Sequence, residues 1–186
     1  MKNSSVKRFT LIELLVVIAI IGILAGLVFP ALGVVRNNAK KSKASSECQS
    51  LKTAIIMYES EFSCWPANVS GSTDNVVSSS EYIQMCKRLT GENSKKTVFY
   101  EVGVGYDESK GILDPWNRPY QVILDVDFDG KIKAVDAVES VNKVNNRTGQ
   151  DLRTKVAVYS YGVVEKDKDA TDLNKLASSK KLVISW

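Results

Sequence analysis

Residues 9–35 read FTLIELLVVIAIIGILAGLVFPALGVV, and the fold turns on how this stretch is understood. From Leu14 to Val35 there are 22 consecutive residues with neither a charge nor a polar side chain. As a helix, that run spans about 33 Å, enough to cross a bilayer hydrocarbon core of roughly 30 Å. A cleavable secretory signal is the simpler alternative, but its apolar region is only about 7–15 residues long and ends at a small-residue cut site. A short basic octapeptide, MKNSSVKR, comes first, and one carboxylate, Glu13, borders the run. A carboxylate at the edge of a membrane span is expensive and marks a function by default. It needs a cationic partner, and a new α-amino group a few residues upstream on a neighbouring copy of the chain would supply one. Basic residues lie on both sides, Lys2, Lys7 and Arg8 before the run and Arg36, Lys40, Lys41 and Lys43 after it. The charge bias that orients spans therefore does not decide the direction.

Beyond Val35 the pattern changes. Ala44, Cys48, Leu51, Ile55, Tyr58 and Phe62 follow spacings of 4, 3, 4, 3 and 4. That is one apolar stripe on a helix. With no proline between residues 31 and 62, the sequence predicts a single helix from about Thr10 to Phe62. Its second half lays the stripe on a sheet, and Cys48 on that stripe reads as a small buried apolar residue. Pro30 removes a helical hydrogen bond, and Gly22 and Gly26 weaken the same stretch. Such residues are either tolerated as they are in membrane helices or form a bend. The cluster Arg36, Lys40, Lys41 and Lys43 reads as a solvated or headgroup-facing patch.

Residues 63–80, rich in serine and containing Pro66 and Gly71, read as a loop. Residues 81–90 suggest a short helix, and 91–111 a mixture of loop and short strand. Pro115 and Pro119 then bracket a rigid turn in Asp114-Pro115-Trp116-Asn117-Arg118-Pro119-Tyr120. Tyr120 to Val126 and Lys131 to Val138 look like an antiparallel hairpin around Asp127 to Gly130. Residues 155–164 supply a third strand and Leu182 to Trp186 a short fourth. One long helix followed by three or four antiparallel strands is an α+β arrangement.

Composition excludes several chemistries. The chain has no histidine, which removes Ser-His-Asp and Cys-His nucleophile pairs and every zinc site that needs imidazole. Cys48, Cys64 and Cys86 form no CxxC pair, and an odd count allows at most one internal disulfide. Lys2, Lys7 and Arg8 carry three of the four excess positive charges, so no nucleic-acid partner is expected from bulk charge. Asp125-Val126-Asp127-Phe128-Asp129-Gly130 fits the D-x-D-x-D-G opening of a calcium loop, with Asp136 at the twelfth position. The flanks read as strands rather than helices, and the same alternation would arise in a strand running into a polar turn. Both interpretations stand at this level.

The segment Phe9-Thr10-Leu11-Ile12-Glu13-Leu14, behind a basic leader and ahead of a long apolar helix, resembles the type IV pilin and type II secretion pseudopilin family. The DPW-x-x-PY element, Ser160-Tyr161-Gly162 and Ile184-Ser185-Trp186 resemble the major pseudopilin subfamily. The likeness is strong over the first 60 residues and patchy over 114–186. It implies a pilin-like fold with a leader at 1–8, a transmembrane and filament-core helix at 9–35, an amphipathic half at 36–62, a variable linker at 63–113 and an antiparallel sheet domain at 114–186. It further implies cleavage between Arg8 and Phe9 by a prepilin peptidase and N-methylation at Phe9. Glu13 would neutralise the terminal amine of an adjacent subunit, and Gly22, Gly26 and Pro30 would mark a helix bend. The implied partners are other copies of the chain, minor pseudopilins, an inner-membrane assembly platform and membrane lipid. The implied role is structural rather than enzymatic, with the C-terminal domain extracytoplasmic. Arg8 departs from the family's usual glycine before the cut, and Asn117 and Arg118 stand where glycine and asparagine are usual. The family's own calcium site precedes the final strand, where this chain has Lys180 and Lys181; Asp167, Asp169 and Asp172 are the carboxylates left nearby. The alternative is a membrane-anchored extracytoplasmic binding protein or enzyme that keeps its leader and uses the aspartates at 125–129.

Overall fold

The computed structural model describes residues 9–69, 74, 76–103, 105–133, 151–162 and 183–185, with the side chains of 27–31 outside that description. Helix α1 covers Leu11–Phe62 and α2 covers Ser79–Leu89. Five short strands follow: β1 Tyr106–Asp107, β2 Gly111–Ile112, β3 Gln121–Leu124, β4 Val156–Ser160 and β5 Val183–Ile184. They form an antiparallel β1-β2 pair and an antiparallel β3-β4-β5 sheet. The fold is α+β, as the element pattern predicts. Two compact units are present, Met1–Ala39 and Lys40–Trp186.

In the first unit the side chains of α1 from Leu14 to Leu24 are apolar and exposed. Leu11, Ile12, Leu14, Ile18 and Ile23 are each more than half exposed. The helix is continuous through Gly22, Gly26 and Pro30. Among the described residues no helix is long and apolar enough to cross a membrane. The described side chains of the uncharged run stop at Gly26 and resume at Leu32.

The second unit has a core built on the expected stripe. Ala44, Cys48, Leu51 and Ile55 are fully buried and Tyr58 nearly so, packed with Val122 and Leu124 of β3 and Val156 and Val158 of β4. The register pairs Val122 with Val158 and Leu124 with Val156. Because side chains alternate along a strand, these four residues share the face turned to α1. Ile123, Ala157 and Tyr159 take the opposite face with Ile132. Each fully buried aliphatic side chain here stabilises the fold by roughly 1.5–3 kcal/mol. Helix α1 ends at Phe62, and Ser63 after it sits at φ 53 and donates its N–H to the Glu59 carbonyl at 2.7 Å. This is a left-handed helix cap with serine in the place that glycine usually fills.

Ser78 caps α2, its Oγ accepting from the Glu81 N–H and donating to Glu81 Oε2 at 2.9 Å. Helix α2 buries Tyr82, Met85, Cys86 and Leu89. Gly111 lies against it at φ 82, where a Cβ would come within 2.8 Å of Cys86 Sγ and of a Tyr82 ring carbon. Both the backbone conformation and the contact require glycine.

Two findings differ from the sequence pattern. First, β3 pairs with β4, not with a strand starting at Lys131, and Ile132 bridges Leu152 instead. The cause is local: Asp125 captures two N–H groups and folds residues 125–130 into a loop with left-handed Phe128 (φ 57) and Gly130 (φ 81), which carries the chain out of a hairpin. Residues 134–138 of the expected strand lie outside the described residues. Second, the serine-rich stretch contributes to the core. Trp65, Ala67 and Val77 are buried, Val76 bridges Ile123, and the Val77 N–H donates to the Val122 carbonyl at 2.8 Å. All three thiols are free, with Cys48 and Cys86 buried and Cys64 exposed.

Candidate functional site

At the start of α1, Thr10 and Glu13 form a capping box. The Thr10 N–H and Oγ1–H both donate to Glu13 Oε2 at 2.8 Å, and the Glu13 N–H donates to Thr10 Oγ1 at 3.3 Å. A threonine and a glutamate three residues apart satisfy each other's backbone donors in this way, and the anionic side chain also suits the positive end of the helix dipole. The carboxylate is exposed, one oxygen holds all the contacts with Thr10, and Phe9 beside it is 78% exposed. Glu13 is thus oriented by its own chain and still open to a cation. Arg8 lies outside the described residues.

The turn at 114–118 is closed by one buried carboxylate. Asp114 Oδ1 accepts from the Trp116 and Arg118 N–H groups, each at 2.9 Å, and Oδ2 accepts from Ser160 Oγ at 2.5 Å. Asn117 sits at φ 65. That left-handed conformation explains a glycine preference at this point, and asparagine tolerates it better than most other residues. Nearby, Tyr120 Oη donates to Glu47 Oε2 at 2.5 Å. Burial first, and this bond second, push the Tyr120 hydroxyl far above its ordinary pKa.

The second carboxylate loop begins where β3 ends. Asp125 is fully buried; its Oδ1 accepts from the Asp129 N–H at 3.2 Å and its Oδ2 from the Gly130 N–H at 2.8 Å. Trp65 Nε1 donates to the Asp125 carbonyl at 2.9 Å, and Phe128 stacks on the Trp65 ring at 5.4 Å and 8°. Asp74, also buried, reaches in from the serine-rich stretch, accepting from the Val126 N–H at 3.0 Å and the Lys133 N–H at 2.9 Å. Carboxylate oxygens of Asp74, Asp125 and Asp127 all lie within 4.8 Å of one another. Burial pushes Asp125 above the usual carboxylate range, against the pull of the Gly130 N–H. The Lys133 ammonium, bonded to Asp127, holds that carboxyl below the usual range.

The expected calcium set is therefore altered. Asp125 and Asp127 converge. Asp129 turns its Oδ1 to the Lys131 N–H at 2.8 Å and is not in the converging group, while Asp136 lies outside the described residues. Asp74 takes part instead. Nothing in the run Ser-Thr-Asp-Asn distinguishes it from a solvated loop, so only the fold reveals it. The donors are hard oxygen atoms carrying excess negative charge, which suits a hard cation such as calcium. Asp167, Asp169, Asp172, Lys180 and Lys181 lie outside the described residues.

A family profile described as "Prokaryotic N-terminal methylation motif" matches residues 9–29, the stretch that holds Phe9, Glu13 and most of the apolar run. The chain is similar to the type II secretion system core protein G of Aeromonas hydrophila, 35% identical over 132 residues that cover 71% of this chain and 82% of that protein. The protein of the same name in Pseudomonas aeruginosa is 30% identical over 123 residues, 66% of this chain and 77% of its own length. A fimbrial protein of Neisseria meningitidis serogroup A is 40% identical over 77 residues, and the match spans 45% of its length. No solved structure matches the chain. With most of two core protein G relatives covered and the methylation motif on its apolar helix, the chain belongs to the type II secretion core protein G family of pilin-like filament subunits.

Proposed function

We propose that this chain is a prepilin whose first eight residues are removed between Arg8 and Phe9 by a prepilin peptidase, which then N-methylates Phe9. The uncharged run holds the subunit in the inner membrane as a single pass, with the C-terminal unit outside the cytoplasm. Copies then polymerise through an assembly platform, together with minor pseudopilins, into a secretion pseudopilus or a pilus-like filament. The role is structural, with no catalytic step. One observation carries this proposal: a lone exposed carboxylate, locally oriented by Thr10, stands four residues after Phe9 at the head of an apolar helix. In the apolar core of a filament, an ionised glutamate needs a counter-charge, and the new Phe9 amine of a neighbour supplies it. Pro30 has no N–H for the Gly26 carbonyl, so the segment from Gly22 to Pro30 is where α1 bends on assembly.

Glu13→Val tests the proposal. Filament recovery is expected to fall below detection, while Lys40–Trp186 keeps its melting midpoint. Filaments at wild-type yield from the variant, or assembled protein whose intact mass retains Met1 to Arg8, would refute it.

We also propose that Asp74, Asp125 and Asp127 hold calcium, the metal tying the serine-rich stretch to the end of β3. Millimolar calcium is expected to raise the melting midpoint of the full chain by a few degrees through ligand linkage. Asp127→Asn, at an exposed position, should remove that rise. A wild-type midpoint indifferent to calcium would refute the assignment.

A further inference from the structure

Lys40, Lys41 and Lys43 open the second unit. From Arg36 to Ser46 the chain carries four basic residues and no acidic one. Lys40 and Lys43 are exposed and Lys41 is half-exposed. Among the described residues Lys40 and Lys41 have no ion-pair partner, and Lys43 has only Glu47, at 3.7 Å. Glu47 is itself tied to the core through Tyr120 Oη. An exposed pair four residues apart on a helix is weak and screened by water. The three ammonium groups thus face solvent with most of their charge uncompensated.

Clustered ammonium groups favour phosphate oxygens. Position in the chain selects which phosphate. The lysines follow Val35, the end of the uncharged run, by five to eight residues. Eight residues advance about 12 Å as a helix, and a bilayer's headgroup layer begins where its hydrocarbon ends. We propose that Lys40, Lys41 and Lys43 bind the phosphates of anionic phospholipids in the extracytoplasmic leaflet. This rests on the single-span reading given above. Each lysine close to an acidic bilayer surface strengthens association about fivefold.

The test uses the full chain in detergent micelles, with bound lipid counted by native mass spectrometry. Phosphatidylglycerol is compared with phosphatidylcholine of the same acyl chains. The wild type is expected to retain phosphatidylglycerol at least about tenfold better, with the preference falling as salt rises. The triple variant Lys40→Gln, Lys41→Gln and Lys43→Gln should hold both lipids equally at an unchanged melting midpoint. No preference in the wild type, or full preference in the triple variant, overturns the proposal. So does displacement of the lipid by inorganic phosphate, or lysine-dependent binding of a single-stranded oligonucleotide in its place. Carbonate extraction of membranes reports the span separately. A chain washed off by carbonate fails the single-span reading, whereas an integral chain without lipid preference fails only the lysine proposal.

Discussion

In α1 one backbone geometry carries two different arrangements of side chains. Before Gly26, Leu11, Ile12, Leu14, Ile18 and Ile23 expose apolar surface in every direction. After Lys40, the apolar residues fall on one stripe that is buried on the sheet, from Ala44 through Cys48 and Leu51 to Ile55. Both halves are helical although Gly22, Gly26 and Pro30 lower the intrinsic propensity of the first, so packing or an apolar environment rather than propensity must hold each. The difference lies in the surroundings each half requires. The second finds its apolar partner within its own unit. The first presents a surface too large for water to tolerate, which is the mark of a segment meant for lipid or for other chains.

Burial of the stripe can be read at the thiols of the second unit. Cys48 and Cys86 should react with iodoacetamide on the order of a thousandfold more slowly than Cys64, because buried sites open only with large-scale unfolding. Peptide mass spectrometry after timed alkylation reads this directly, and equal rates at Cys48 and Cys64 would mean that the stripe is not buried. Burial, reinforced by the Glu47 and Asp114 carboxylates, holds the Cys48 thiol up at about 12, and burial puts Cys86 at about 11. Unfolding lets each thiol ionise nearer its ordinary value of 9. The stability they protect is complete below that value and declines as pH rises above it toward 11 and 12.

A paired substitution compares the halves directly. Leu51→Ala should cost about 2–5 kcal/mol in urea unfolding of the solubilised chain, the usual range for truncating a buried leucine. Leu15→Ala, at an exposed position, should change the same measurement by less than about 0.5 kcal/mol. Similar losses from both would show that the first half is covered within the subunit. The smallest effect is at the end of α1. Ser63→Gly should gain about 0.5–1 kcal/mol by relieving the left-handed cap, raising the melting midpoint by roughly 1–4 °C.

Much of this was legible in the sequence, for identifiable reasons. The 4-3 spacing from Ala44 to Phe62 is a one-dimensional record of a buried face, and it locates the helix on the sheet without any knowledge of the sheet. The α+β class and the strand at 156–160 were visible as apolar runs between breakers. Pairing was not. Whether β3 meets Lys131 or Val156 depends on where Asp125 sends its two oxygens, and a carboxylate's hydrogen bonds leave no periodic trace. Asp74 was invisible for a related reason: its partners, the N–H groups of Val126 and Lys133, are more than fifty residues away. Asn117 shows the intermediate case. Its position in a proline-bracketed turn was readable, but the backbone conformation that makes glycine the usual choice emerged only with the coordinates.

The Gln49 amide of α1 donates to the Ser185 carbonyl at 2.9 Å, and Ser185 Oγ accepts from the Val158 N–H at 2.8 Å. Contacts so distant along the chain set the order of events during synthesis. The apolar head leaves the ribosome early, whereas β5 cannot join the sheet until residue 185 has been made. Such long-range closure slows folding. During translation, then, the stripe from Ala44 to Tyr58 is made well before the β3 and β4 residues that cover it.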